Sequence, residues 1–264
     1  MTTTMRVELE RLRLRFNAGR VATATDPATL RAAAAELLAT AIFVFAAEGA
    51  TLSLGMVRAA GGGGLVAVAL AHALALAAAV ACTVNISGGH VNPAITLGAL
   101  LGGRICLVRS LVYWAAQLLG AVAAALLLSL ATAGVRLPEY ALAGGVNGWH
   151  ATVLEAAMAF GLMYAYYATA MAEPKWPAAP LAVGLLAGAN VLACGALDGA
   201  VMNPARAFGP AIVGSRRWTN HWVYWLGPMV GASISAVVCE HLLLSPTPAD
   251  EAEKPAAAPN RRRA

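Results

Sequence analysis

Asn-Pro-Ala occurs twice in this chain, at Asn92-Pro93-Ala94 and at Asn203-Pro204-Ala205, each time heading an apolar stretch too short to cross a bilayer. The surroundings match as well: SGGHVNPAITLG, from Ser87 to Gly98, aligns with DGAVMNPARAFG, from Asp198 to Gly209. Asparagine is a favoured helix N-cap and proline a favoured first helical residue. Each copy therefore reads as the start of a helix. The apolar residues that follow, Asn92 to Leu101 and Asn203 to Val213, cover roughly 15 Å at 1.5 Å per residue, half of a ~30 Å hydrocarbon core. Two such half-helices entering from opposite faces would meet end to end at mid-membrane.

The rest of the chain agrees with a membrane setting. Only 12% of its 264 residues are charged and 59% are hydrophobic, where a soluble domain carries roughly a quarter charged residues. Gly61 to Ser87, Ser110 to Val135 and Pro177 to Leu197 hold no formal charge, and runs of that length read as transmembrane helices. Abundant alanine and glycine favour close helix packing in lipid. Six spans are expected: Ala32 to Leu54, Leu65 to Val84, Leu107 to Ala133, Thr152 to Ala170, Pro180 to Ala196 and Trp218 to Leu244. The two Asn-Pro-Ala segments fall between spans two and three and between five and six. Each half is then span, span, half-span, span. Three full spans per half is an odd number, so the second half enters the bilayer inverted. The predicted fold is an all-α membrane protein of six transmembrane helices and two re-entrant half-helices, arranged as an inverted repeat. Residues 1–31 read as an N-terminal segment, 32–244 as the channel domain (repeats 32–134 and 150–244) and 245–264 as a disordered tail.

The net charge of +5 comes largely from the ends, where Arg6, Arg11, Arg13, Arg15, Arg20 and Arg31 precede the first span and Arg261, Arg262 and Arg263 close the chain. These arginines read as topology signals that keep both termini cytoplasmic, with contact to anionic lipid at the N-terminus, rather than as a nucleic-acid site. No secretory signal is expected at the N-terminus. Cys82, Cys106, Cys194 and Cys239 lack metal or redox spacing and read as buried free thiols. No nucleophile–base pair and no metal-ligand grouping stands out, so neither an enzyme nor a metal or organic cofactor is expected.

Electrostatics selects the cargo. Both half-helix N-termini face the centre, each with about half a positive charge, which bars cations and protons. The amides of Asn92 and Asn203 can donate to the oxygen of a passing molecule, and a water so held cannot readily relay a proton. Irregular loops ahead of each motif, Asn85 to Val91 and Asp198 to Met202, would line a watery path. A pore for neutral solutes follows. Two rivals are an ion-coupled carrier, whose cation site would have to use Asp198, and a structural membrane protein.

Ionisable groups inside the membrane need a reason. Glu36 and Glu155 occupy matching places in the repeats; they can relay protons or accept from the backbone N–H groups of the re-entrant loops. Gln117 is a candidate for a similar part in span three. Glu48 is expected to snorkel or be solvated near the outer end of span one. Arg206 adds a fixed charge and several donors beside the second motif, or reaches to headgroups. His72 stands alone in an apolar span, as a satisfied core histidine or as a pore residue. Asn85-Ile86-Ser87 matches a glycosylation acceptor at an embedded position and is discounted.

Taken together these residues resemble the aquaporin, or major intrinsic protein, family over roughly Asp26 to Leu243. Ser87 to Ala94 and the GVNGWH run at Gly145 to His150 look like plant tonoplast intrinsic proteins; Asp26 to Ala32 and Phe43 to Gly49 look like their seed, protein-storage-vacuole branch. The resemblance implies an aquaporin-like right-handed bundle and a narrow filter. Spacing from the motifs puts that filter at His72, Val191, Ala200 and Arg206. Tyr140 stands where some members place an extra filter residue. Valine at 191, where dedicated water channels have histidine, implies a wider pore for water with ammonia, urea or hydrogen peroxide. Ala207 replaces the aspartate of glycerol-type facilitators. The resemblance further implies a homotetramer, or a mixed tetramer with close relatives, in the vacuolar membrane. It implies no histidine-based acid gate between spans four and five.

Overall fold

The computed structural model describes residues 17–57, 64–137, 140–172, 174–215 and 218–243. The arginine-rich start, residues 58–63, Pro138, Glu139, Glu173 and the 245–264 tail lie outside the described residues. The described part is helical: α1 Pro27–Val57, α2 Gly64–Thr83, α3 Pro93–Leu101, α4 Leu107–Ala131, α5 Gly148–Ala165, α6 Ala179–Asp198, α7 Pro204–Pro210 and α8 Val223–Val238. Wider π-type turns prolong α5 through Tyr166–Ala170, α7 through Ala211–Ser215 and α8 through Cys239–Leu243.

Among the described residues six long helices and two short ones appear in the expected order, with ends set by local chemistry. The first helix begins at Pro27, ahead of the expected Ala32, because Asp26 Oδ2 accepts from the N–H groups of Ala28 and Thr29 at 3.1 and 3.2 Å and proline suits the first turn. At 31 residues, or about 46 Å, it outreaches the hydrocarbon core. Likewise α5 starts at Gly148 rather than Thr152, since Asn147 and His150 form a reciprocal capping box. The last span starts at Val223, with turns over 219–222 in place of the helix expected from Trp218. Pro210 has no N–H to give the Arg206 carbonyl, so α7 stops there and the chain continues as a wider turn. Among the described residues, five helices are long and apolar enough to cross a membrane alone. The sixth, α5, holds His150 and Glu155 and crosses packed along α8.

The packing repeats with the halves inverted. Helix α1 lies along α4 as α5 lies along α8, while α2 and α6 join the halves. Each half-helix leans on the last span of the other repeat, α3 on α8 and α7 on α4. Matching glycines allow these approaches. A Cβ on Gly120 would stand 2.3 Å from the Leu37 carbonyl, and one on Gly231 would stand 1.9 Å from that of Ala156. Gly98 faces the Ala232 carbonyl and Gly209 that of Ala121 in the same way. Leu37 and Ala156 each directly follow the paired glutamates Glu36 and Glu155, so the sequence repeat is also a repeat in space.

Polarity is inside out relative to a soluble protein. Leu38, Leu119, Leu130, Val153 and Leu185 are exposed, whereas Glu36, Glu155, Gln117, His72 and Arg206 are buried. Lipid tails suit the first set and helix interiors must satisfy the second. Exposed Trp149, Trp176, Trp218 and Trp222 stand at or near helix ends, where interfacial tryptophans belong. All four cysteines are free, but only Cys239 is buried; Cys82 faces outward, contrary to the expectation of buried thiols.

Candidate functional site

The site grows from the two loops that precede the Asn-Pro-Ala helices. Val91 and Met202 hold φ of 56° and 55°, a left-handed conformation that costs a non-glycine residue about 1–2 kcal/mol. Hydrogen bonds to two buried glutamates, worth about 0.5–1.5 kcal/mol each even between neutral groups, offset this. Glu36 accepts from the N–H of His90 at 2.9 Å and of Val91 at 2.6 Å; Glu155 accepts from the N–H of Val201 at 2.6 Å and of Met202 at 2.5 Å. Each glutamate thus grips the two residues before an asparagine. Gln117 joins the first cradle, its Nε2 donating to Glu36 at 2.8 Å and to Thr96 Oγ1 at 3.0 Å. Ser87 Oγ also donates to Glu36, so the serine of the apparent glycosylation triplet is structural.

The two motifs meet. Asn92 Oδ1 caps its helix by accepting from Ala94 N–H at 2.8 Å, and Asn203 Oδ1 accepts from Ala205 N–H at 3.0 Å. Pro93 and Pro204 occupy the first helical positions, with Ala94 and Ala205 wholly buried behind them. The amides then cross: Asn92 Nδ2 donates to the Met202 carbonyl at 2.8 Å and Asn203 Nδ2 to the Val91 carbonyl at 2.9 Å. An amide nitrogen carries two protons. Each asparagine therefore spends one on joining the halves and keeps one for whatever passes.

Between the motifs there is room for something water-sized. Asn92 and Asn203 border a waist with about 10 Å³ of room for water centres, walled by Phe43, His72, Ile95 and Leu162. That is space for about one water molecule. Arg206 lies on both this waist and a vestibule of about 360 Å³, and His90 on both the waist and an opposite vestibule of about 320 Å³. The waist thus shares Arg206 with one larger space and His90 with the other.

Arg206 guards one end of the waist. It is buried; its NH1 donates to the Ala200 carbonyl at 2.7 Å and its Nε to Glu48 Oε1 at 2.9 Å. His72 Nδ1 lies 2.7 Å from the Val68 carbonyl, so that nitrogen carries the proton and Nε2 is the acceptor. Nε2 has no partner among the described residues, leaving it free for a solute. Val191 walls the adjoining vestibule. Ala200, at a positive φ of 44°, contributes its carbonyl to Arg206. Tyr140 lies against the Arg206 guanidinium, 5.2 Å from ring centroid to carbon, and its hydroxyl donates to Glu48 Oε1. Burial pushes the Tyr140 phenol well above its ordinary value, Arg206 opposing and Glu48 adding to the rise, so this loop residue stays a hydroxyl donor. Glu48 is a correction: it was expected to snorkel or be solvated, but only 1% of it is exposed and it pairs with Arg206. A carboxylate cannot remain alone in lipid when a buried guanidinium is in reach.

A match to the family described as Major intrinsic protein spans residues 23–239, most of the chain. The chain belongs to that family. Among major intrinsic proteins it is 63% identical over 236 residues to Aquaporin TIP3-1 of Zea mays, covering 87% of this chain and 89% of the relative. It is 62% identical over 244 residues to Aquaporin TIP3-2 of Zea mays, covering 89% and 91%. These relatives support the seed-type branch. In fold it is similar to the aquaglyceroporin of Plasmodium falciparum, with a TM-score of 0.70 at 22% identity over 82% of this chain and 97% of that one.

Two residues of this major intrinsic protein escaped the sequence reading. His90 separates the waist from the second vestibule, its Nδ1 3.1 Å from Thr96 Oγ1. Its place two residues before Asn92 was the available signal. Tyr166 closes the first loop, donating to the carbonyls of Gly89 and His90 at 2.8 and 3.2 Å. Nothing in an apolar span marks that tyrosine out. The carrier's candidate acid, Asp198, is buried and braces the second loop, accepting from Ala200 N–H at 2.9 Å.

Proposed function

We propose that this major intrinsic protein conducts water passively, with ammonia, urea and hydrogen peroxide as further neutral solutes, across the vacuolar membrane. Protons and ions are held back. The filter is His72, Val191, Ala200 and Arg206 with Tyr140 at its entrance, and four copies assemble with one pore each and both termini cytoplasmic. The observation that carries the reading is the pair of crossed asparagines at a waist with room for about one water. Their spare amide protons both point donors at a solute oxygen, and both half-helix N-termini put positive potential there. A water accepting two such bonds turns its own protons away from the centre, which breaks a proton relay. Val191 leaves more room than a histidine would, which favours solutes larger than water.

Purified protein in liposomes tests this. Osmotic shrinkage is expected to accelerate over empty liposomes with no added proton leak under an imposed pH gradient. Urea and peroxide uptake are expected to rise as well. Proton current accompanying water flow, or transport that requires a sodium or proton gradient, would overturn the proposal.

A further inference from the structure

The filter arginine is not a free charge, and what neutralises it comes from an unexpected direction. Glu48 sits on α1, remote in sequence from Arg206, and both side chains are almost wholly buried, 3% exposed for Arg206 and 1% for Glu48. The contact is to Nε, on the flank of the guanidinium, at 2.9 Å. NH1 is fixed separately by the Ala200 carbonyl. Two bonds on different nitrogens set the plane of the group. Tyr140 completes the clamp, with its hydroxyl on the same carboxylate oxygen and its ring against the guanidinium. Gly199 makes room for that ring: a Cβ there would stand 2.8 Å from Tyr140 Cδ1.

We propose that Glu48 is the positioning residue of the filter: it draws the Arg206 guanidinium back against α1, so that the conduit stays open beside His72. The proposal rests on the reading of Arg206 as a filter residue. Without Glu48 the guanidinium is a buried cation lacking its partner. Arg206 borders two spaces, the vestibule of about 360 Å³ and the waist, which holds about one water. A guanidinium released from α1 swings across the passage between them and obstructs it. Glutamine keeps an acceptor for Nε and for the Tyr140 hydroxyl, so the clamp survives without the charge.

The test is stopped-flow water permeability of the full-length protein in liposomes, normalised to the amount of folded protein. Glu48→Ala is expected to lower water permeability roughly tenfold, equivalent to about 1.4 kcal/mol. Glu48→Gln is expected to stay near wild type. In an Arg206→Ala background Glu48→Ala is expected to change nothing further, because no arginine is left to place. Should Glu48→Ala fail to fold, Glu48→Asp, which shortens the reach by one methylene, carries the same comparison with a smaller fall. Wild-type flux in Glu48→Ala or Glu48→Asp would overturn the proposal. So would an equal loss with and without Arg206, which marks Glu48 as mere scaffolding. If Arg206→Ala alone leaves the urea-to-water ratio unchanged, the filter reading itself fails, a result separable from the others.

Discussion

The two re-entrant half-spans share a backbone and differ in what closes it. Val91 and Met202 adopt the same strained conformation, each held by a glutamate from the first span of its own repeat, and each lends its carbonyl to the opposite asparagine. Three residues past the asparagine the halves part. Repeat one has Ile95, an apolar wall of the waist, and repeat two has Arg206. The loop carbonyls of repeat one are closed by the Tyr166 hydroxyl, those of repeat two by the guanidinium of Arg206. The shared part builds a symmetric waist with donors at its centre. The unshared part makes the two ends chemically different, and the proposed filter lies on the Arg206 side.

Removing the shared part should have the largest effect. Glu36 takes four donors and Glu155 takes two among the described residues, and each stranded buried donor costs about 1–3 kcal/mol. Glu36→Ala is expected to yield no folded protein on size exclusion in detergent, whereas Glu155→Ala yields folded protein with a lowered Tm. Equal behaviour of the two would break the comparison. Forcing the halves to match comes next. Ile95→Arg puts a cation on the waist with no counterpart of Glu48, and water permeability is expected to drop to that of empty liposomes. The reverse change, Arg206→Ala, is expected to raise the urea-to-water permeability ratio severalfold with water flow retained. Gly209→Ala is expected to lower stability more than Gly98→Ala, within about 1–3 kcal/mol for an overpacked contact. The first Cβ meets the Ala121 carbonyl at 2.4 Å, the second the mobile end of Met163 and a carbonyl at 3.1 Å; thermal unfolding decides it. Smallest is Val191→His, expected to cut urea uptake a few-fold while water flow changes less.

The sequence by itself determined the parts that depend on neighbours along the chain. Uncharged runs marked three of the spans, Asn-Pro marked both half-helix starts, and matched spacing in the halves paired Glu36 with Glu155. Asp26-Pro27 marks a helix start by the same short-range chemistry, ahead of Ala32, where the apolar run begins. Tertiary structure alone decided the partners of the buried polar groups. That Asn92 reaches the Met202 carbonyl, that Tyr140 folds onto Gly199, and that Glu48 meets Arg206 rather than the headgroups all depend on which helix faces meet. Caps and apolar runs are short-range, so their signals sit within a few residues. A buried charge announces only that it needs a partner; which one it finds is fixed when the two repeats close on each other.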